Sequence, residues 1–463
     1  MTNNILFITG KLAENNLKKI LECIDDKDFK YEIRNLNVNV AALLTTDMIA
    51  RRIGNIENFN KIILPGKVRG DVNKLAEILN IEIERGPEEL KDLPTLFGGK
   101  ALKYDLSKYE VHIFAEITDA PNMTVGEIIK QASYYRGNGA DVIDIGCLPN
   151  QSFPHLSESV KELKNQGFYV SIDSHDDKEL ILGAKAGADY LLSIKSNNFH
   201  VLDEVDSYPI LIPQDGNMQS LYECIDKCME MKRIFIADPI LDPINYGFTD
   251  SILRYRELRN KYPDIHIMMG TGNVTELTHA DTTGITMTLM GIISELKINH
   301  ILTTEVSNHC RSVIKENDIA RRIILAASEN NTTPKHIDSA LLTTHSSEYL
   351  KYSLDEIKEI ASNVRDKNYR IIMSKEGINL FNKNGLKTAI DPYDFYNSID
   401  VEDDIGHAFY LGIELARAQI AYQLGKEYEQ DEELSWGCLV EKEIDDKLAF
   451  KETGSTYKKK KKK

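Results

Sequence analysis

The sequence is short of the features that would assign it quickly. Six cysteines in 463 residues (Cys23, Cys147, Cys224, Cys228, Cys310 and Cys438) lack the rhythm of a disulfide framework, which excludes a small secreted scaffold. No apolar run approaches the roughly 20 residues that span a bilayer, so membrane insertion is not expected. The opening MTNN is not a basic segment followed by an apolar one, and a reduced, cytoplasmic protein is expected. Positive charge is scarce: 56 Lys and Arg face 72 Asp and Glu, a net charge of −16. Nucleic acid as the main ligand is thereby excluded, because neutralising phosphates needs a basic face. The lysine run Lys458 to Lys463 is read as a solvated tail or a cloning remnant. Residues 1 to 100 hold no G-x-G-x-x-G or G-K-[ST] for a phosphate. No H-E-x-x-H or paired C-x-x-C suggests a structural metal, and no Ser-His-Asp or Cys-His set suggests a covalent hydrolase.

What is present is a set of apolar runs that stop on a carboxylate or an amide: GADVIDIG, GFYVSIDSHDD, RIFIADPILDP, HIMMGTGNVTE and HILTTEVSNH. Helix-like segments separate most of them, as between the strand ends of a closed parallel barrel. Eight candidate strands lie between residues 108 and 330: VHIFAEI, ADVIDIG, FYVSID, ADYLLSI, YPILIPQ, RIFIAD, IHIMMG and HILTTE. A doubly wound open sheet shows the same alternation, and the closed barrel is the favoured of the two.

A chain of this length exceeds one hydrophobic core. Residues 1 to 100 alternate short strands with amphipathic helices and read as a Rossmann-like α/β domain, with residues 91–109 as a linker. Residues 331 to 463 break the barrel rhythm with a helix, a hairpin-like pair and a long amphipathic helix, a small α+β domain. On the long helix His407, Tyr410 and Glu414 share one face. The expected fold class is therefore α/β, a central TIM (β/α)8 barrel between two smaller domains.

The barrel's polar tips are Glu116, Asp144, Asp173, Ser193 with Lys195 and Asn197, Asp238, Asn273 and Glu305. This rim is rich in acceptors and poor in cations. Its ligand should offer donors, and a carboxylate pairs well with a ring N–H beside an amino group, which points to a pterin-like heterocycle. Metal binding competes, since DSHDD packs carboxylates around His175, but Asp176 and Asp177 sit where a helix start wants acids. No metal ligand is assigned; a magnesium contact stays open. Cys224 and Cys228, one turn apart, read as buried small hydrophobes.

The motifs GNGADVIDIG, YVSIDSHDDKELILGAKAGADYLLS and IADPILDP resemble those of the pterin-binding barrel superfamily, which includes dihydropteroate synthase and the methyltetrahydrofolate:corrinoid methyltransferases. The whole chain resembles the dihydropteroate synthase-related proteins of methanogens. The resemblance implies that Asp173 and Asp238 hold the pterin pyrimidine ring, with Asp144, Glu116, Ser193, Asn197 and Glu305 as further binding residues. It implies that Asn273, in GTGNVTE, acts near N5 of a reduced pterin, and Asp173 and Asn273 are the catalytic candidates. It also implies tetrahydromethanopterin or a precursor as the cofactor, a transferase in pterin biosynthesis or one-carbon transfer, and a corrinoid carried by a partner. Two departures matter. The fourth strand carries Leu192-Ser193 where the family has an asparagine, and the synthase's lysine and Arg-x-His positions are absent. A non-catalytic pterin-binding or scaffold protein is the alternative, and a homodimer is left open.

Overall fold

The computed structural model describes residues 3–24, 29–401 and 404–440, so the lysine tail lies outside the described residues. The chain forms two compact units, Met1–His112 with Ala320–Asp338, and Ile113–Ile319 with Ser339–Lys463.

In the first unit, β1 (Asn3–Thr9), α1 (Glu14–Glu22), β2 (Phe29–Asn35), α2 (Thr46–Arg52), β3 (Lys61–Leu64), α3 (Val72–Leu79) and β4 (Glu82–Arg85) alternate. The strands make a parallel sheet in the order β2-β1-β3-β4. Strand β1 is apolar from Ile5 to Ile8 because both of its faces are covered there. Leu6 and Ile8 pack with Ile49 and Leu75 on one side, and Ile5 and Phe7 with Leu17 and Leu21 on the other. The stretch expected to be linker from residue 91 is in part core. Leu90–Phe97 is a 3-10 helix with Leu93 buried, and Phe97 stacks on Phe29 at 4.4 Å. Apolar side chains at 93 and 97 outweigh the glycines and proline that suggested a linker.

The second unit contains a closed barrel of eight parallel strands. They are β5 (His112–Ile117), β6 (Val142–Gly146), β7 (Tyr169–Asp173), β8 (Tyr190–Ile194), β9 (Tyr208–Leu211), β10 (Ile236–Ala237), β11 (His266–Gly270) and β12 (His300–Thr304). Each falls within one of the eight apolar runs. Helices α4 (Val125–Gly137), α5 (Leu156–Asn165), α6 (Asp177–Ala186), α7 (Met218–Glu230), α8 (Phe248–Lys261), the short α9 (Gly272–Thr275), α10 (Thr282–Glu295) and α11 (Val313–Glu329) follow the strands; a 3-10 turn, Phe199–Asp203, joins β8 to β9. The amino-terminal rim of the barrel is pinned by short polar side chains: Asp141 accepts the Ile113 amide, Asp189 the Val170 amide and Asn299 the Ile267 amide, at 2.8 to 3.0 Å. These acceptors replace ladder partners that strand ends lack.

In the same unit, α12 (Leu354–Asn363) precedes an antiparallel sheet of β13 (Arg370–Ser374), β14 (Gly377–Asn382) and β15 (Gly385–Ala389), and α13 (Ile405–Leu424) follows. The expected hairpin is thus a three-stranded sheet. Its third strand, GLKTA, is mostly half-buried, which is why no alternation marked it. The His407, Tyr410 and Glu414 face of α13 turns inward. Glu414, 1% exposed, accepts from Arg417, Tyr428 and the Asp431 amide, while Ile405 and Phe409 are 75% and 70% exposed. The same inward face carries Leu411, Leu415 and Ala418, so Glu414 is a hydrogen-bonded carboxylate set within an apolar contact face.

Barrel and helices meet closely at Gly183, where an added Cβ would lie 2.5 Å from Cγ1 of the fully buried Ile172. Gly291 in α10 has open space at that position. Gly183→Ala should lower the unfolding free energy measured in urea by about 1–3 kcal/mol through overpacking, whereas Gly291→Ala should raise it by about 0.5–1 kcal/mol through helix propensity. Equal effects of the two substitutions would disprove the close packing of α6 on β7.

Candidate functional site

Side chains alternate along a strand, so residues two apart face the same way. Phe114, Val142, Leu192, Ile210, Ile236 and Met268 form the apolar filling of the barrel. Two residues further toward the carboxyl ends come Glu116 on β5, Asp144 on β6 and Asp238 just after β10. Asp173 ends β7, two residues beyond Ser171. Strand register then joins them laterally: Glu116 pairs with Asp144, Asp144 with Ser171, and Gly146 with Asp173. The barrel therefore carries a carboxylate layer directly above an apolar one.

Carboxylate oxygens of Glu116, Asp144 and Asp173 lie within 4.8 Å of one another. Asp144 is fully buried, and neither of its oxygens has a hydrogen-bond partner among the described residues. The Ser171 hydroxyl is buried and unpartnered too. Burial first, then the Asp144 charge, pushes Glu116 up to about 8. Burial raises Asp144 to about 6, opposed by the neighbouring Ser171 hydroxyl, which lies close to the carboxylate without completing a well-formed hydrogen bond to it. Asp173 is held well above the usual carboxylate range by burial and by Asp144 and Glu116, against a pull from Lys195. Three like charges this close in a low-dielectric site do not all ionise, so the cluster retains protons near neutrality.

Asp238 belongs to a separate network. Its Oδ1 accepts from Tyr255 Oη and from the Ile240 amide, both at 2.7 Å, and burial raises the carboxyl to about 6. The loop it begins is fastened elsewhere too: Arg254 donates to Ile240 O and Asp242, and Asn273 Nδ2 donates to Leu241 O at 2.8 Å. Asn273 is exposed on the short α9, and its Oδ1 accepts no hydrogen bond among the described residues. Loop 238–242 links Asp238 to Asn273.

A cleft of ≈1010 Å³ opens over the carboxyl ends of β6, β7 and β8. Ser193, Lys195 and Asn197 line it, together with Cys147 and Ser174, the residues that follow Gly146 and Asp173. Glu116, Asp144, Asp173, Asp238, Asn273 and Glu305 are not on its wall. At the fourth strand the ladder shifts register between Leu192 and Ile194. Asn198 holds the loop that follows, accepting the Lys195 amide at 2.7 Å and donating to Ser193 O at 3.2 Å, while Asn197 is exposed. Lys195 makes no ion pair among the described residues. Glu305 sits apart: its Oε1 accepts the Ile314 amide at the start of α11, and burial raises it to about 7.

Of the DSHDD acids only Asp173 joins the cluster. Asp176 caps α6 by accepting the Lys178 amide, and Asp177 faces His200 at 3.3 Å. Cys224 and Cys228 are buried, and burial pushes the Cys228 thiol up to about 12. Sequence reasoning missed Gly146, Tyr255, Asn198 and Ser171. A Cβ on Gly146 would lie 2.9 Å from Glu116 Oε1, so this glycine leaves room for the carboxylate. Its place two residues after Asp144, on the same face, was the available signal.

Residues 3–88 match a family of unknown function, DUF6513. The chain is 28% identical, over an alignment of 530 positions, to the uncharacterized protein MJ0107 of Methanocaldococcus jannaschii; the alignment covers 93% of this chain and 98% of that protein. Among solved structures it is similar to the Yersinia pestis dihydropteroate synthase bound to a pterin–sulfa conjugate, with 16% identity, a TM-score of 0.38, and coverage of 49% of this chain and 95% of that one. It is similar also to a dihydropteroate synthase of Clostridium difficile crystallised with pteroic acid, with 18% identity, a TM-score of 0.37, and coverage of 48% and 98%.

The raised carboxyls have a consequence for stability. The folded chain holds these protons more tightly than the unfolded chain, whose carboxyls titrate near 4. Their stabilising contribution is complete below about pH 4 and is lost as pH rises through about 6 for Asp144 and about 8 for Glu116. Asp144→Asn should therefore leave the unfolding midpoint unchanged at pH 4 and raise stability at pH 8 by on the order of 2–3 kcal/mol. Chemical denaturation at the two pH values measures this, and an equal effect at both would contradict the buried cluster.

Proposed function

We propose that this protein is a pterin-binding transferase related to dihydropteroate synthase, acting on tetrahydromethanopterin or a precursor of it in the cytoplasm. The observation that carries the reading is the cluster of Glu116, Asp144 and Asp173, whose carboxylate oxygens lie within 4.8 Å of one another in a largely buried site. An unsatisfied buried carboxylate costs free energy that a ligand rich in N–H donors removes. The 2-amino-4-oxo pyrimidine edge of a pterin offers a ring N–H beside an amino group, which fits a carboxylate as a two-bond fork. The motif resemblance supports the same ligand.

In this reading Glu116 and Asp173, the half-buried members of the cluster, receive the donor edge, and Asp144, with no accessible surface, stands behind them and sets their charge. Asp238, already accepting two hydrogen bonds on Oδ1, offers its other oxygen. Ser193 and Lys195 in the adjoining cleft meet the part of the ligand beyond the ring, and the unpaired Lys195 suits an anionic substituent. Asn273, with its nitrogen engaged by Leu241 O, presents Oδ1 as an acceptor, suited to a protonated N5. Glu305 supports the helix start rather than the pocket. For methyl transfer, protonation makes N5 a better leaving group, and an amide oxygen stabilises that proton. For the synthase reaction an arylamine displaces diphosphate, and the cleft's lysines, Lys178 and Lys195, are the cations available to it.

The same three carboxylates favour a second reading. Oxygens within 4.8 Å of one another are a donor set for a hard divalent cation, which needs six or more oxygen ligands. Glu116, Asp144 and Asp173 would supply the protein share.

Anaerobic isothermal titration of the full chain separates these cases. Methyl-tetrahydromethanopterin or hydroxymethyl-dihydropterin diphosphate should bind, and Asp173→Asn and Asp238→Ala should each weaken binding at least about tenfold, the loss of one charge-assisted hydrogen bond. Preference for the methylated pterin selects methyl transfer, and preference for the diphosphate selects the synthase. Binding of magnesium ion with no binding of either pterin would overturn the pterin reading in favour of the cation.

A further inference from the structure

The first unit contains a second crevice. In its sheet order β2-β1-β3-β4, the chain leaves β1 for β2 on one side and returns to β3 on the other. The loops after β1 and β3 therefore diverge, and the carboxyl ends of two such strands bound a cavity by topology alone. A cavity of ≈690 Å³ lies there, lined by the ends of β1 and β3, the start of α1, the turn after β4 and residues of the segment 327–333, all within that unit. This volume is in the range of small-molecule sites. Close backbone approach shapes the rim: a Cβ on Gly66 would lie 2.4 Å from Pro87 O, and one on Gly10 would lie 2.7 Å from Val38 O.

Three observations give the cavity a chemistry. Asn16, in the first turn of α1, is 6% exposed and lines the cavity, and its side chain has no hydrogen-bond partner among the described residues. Its amide is therefore free to bond whatever occupies the cavity. The start of α1 has no side-chain cap, so its first-turn N–H groups stand at the positive end of a nine-residue helix. Lys11, exposed and without an ion pair among the described residues, adds a cation at the same place. Beside this polar end the wall is apolar, and Leu12 and Val40 on it are 65% and 42% exposed.

We infer that this crevice binds a small organic anion. Its carboxylate or phosphate lies against Asn16 Nδ2, the first-turn N–H groups of α1 and Lys11, and its apolar or aromatic body covers Leu12 and Val40. The site is independent of the barrel and of the reading proposed for it.

The test uses 8-anilinonaphthalene-1-sulfonate, an anion on an aromatic body, titrated by fluorescence into the full chain. Saturable binding of one probe is expected, displaced by inorganic phosphate or by benzoate according to which anionic group the site prefers. Asn16→Asp puts a like charge against the anion while suiting a helix start, so it should weaken binding at least tenfold with no loss of thermal stability. Lys11→Glu should weaken it as well, and Asp173→Asn in the barrel should leave it unchanged. Unchanged affinity in Asn16→Asp and Lys11→Glu, or displacement by neither phosphate nor benzoate, would overturn the assignment.

Discussion

The constraint on which the barrel site depends is the burial of Asp144. A carboxylate with no accessible surface and no hydrogen-bond partner stands beside two more carboxylates, at the level where the apolar filling of the barrel ends. Folding relieves it little from within, because the residues below are Phe114 and Val142 and the lateral neighbours are Glu116 and the single hydroxyl of Ser171. Relief comes from protons, from N–H donors or from a cation. Which of these is present decides the charge of the cluster, and through it the affinity for everything that enters.

That constraint organises the surrounding shell. Gly146 keeps the space beside Glu116 open. Tyr255 and the Ile240 amide occupy one oxygen of Asp238, so this carboxylate is oriented before any ligand arrives, and loop 238–242 in turn fixes the amide of Asn273. Within the three-carboxylate cluster only Asp173 feels a compensating cation, Lys195, whose own backbone is set by Asn198. The site is thus graded, from an uncompensated acid at the barrel axis to a cation at the cleft. A ligand with a donor-rich ring and an anionic or polar extension follows that gradient.

Much of this architecture was legible in the sequence. A strand covered on both faces must be apolar along its length, so each barrel strand announced itself as a run and its carboxyl end as the residue that broke the run. What no local pattern reveals is register. That Glu116, Asp144 and Asp173 converge depends on how neighbouring strands are staggered, and the stagger is a property of the closed sheet. The same limit separates Asp144 from Asp141, three residues away: one is a buried acid at the site, the other a clamp for the Ile113 amide at the opposite rim. Asn197 and Asn198 are likewise equivalent in sequence, and only the loop conformation assigns the contacts to Asn198. In the C-terminal region the inward polar face of α13 was hidden because hydropathy counts Glu414 as surface, whereas Arg417, Tyr428 and the Asp431 amide make its burial tolerable.

The two proposed sites sit at the carboxyl ends of parallel strands, yet their polar groups differ in sign. In the barrel, inward-facing acids stand at or near the ends of β5, β6 and β7, and the ligand proposed for them offers donors. In the first unit no acid ends β1 or β3; a helix start, Asn16 and Lys11 stand there, and the ligand proposed for them offers acceptors. Parallel strands supply the concavity in both cases, because their connections must all leave from one end and diverge. The residues near the carboxyl end of each strand then set the sign of the charge around the opening. An acid at that position is held by the rigidity of the closed barrel, which keeps like charges together against their repulsion. The open four-stranded sheet carries no such cluster, and it leaves recognition to backbone N–H groups that cost nothing to assemble once α1 has formed.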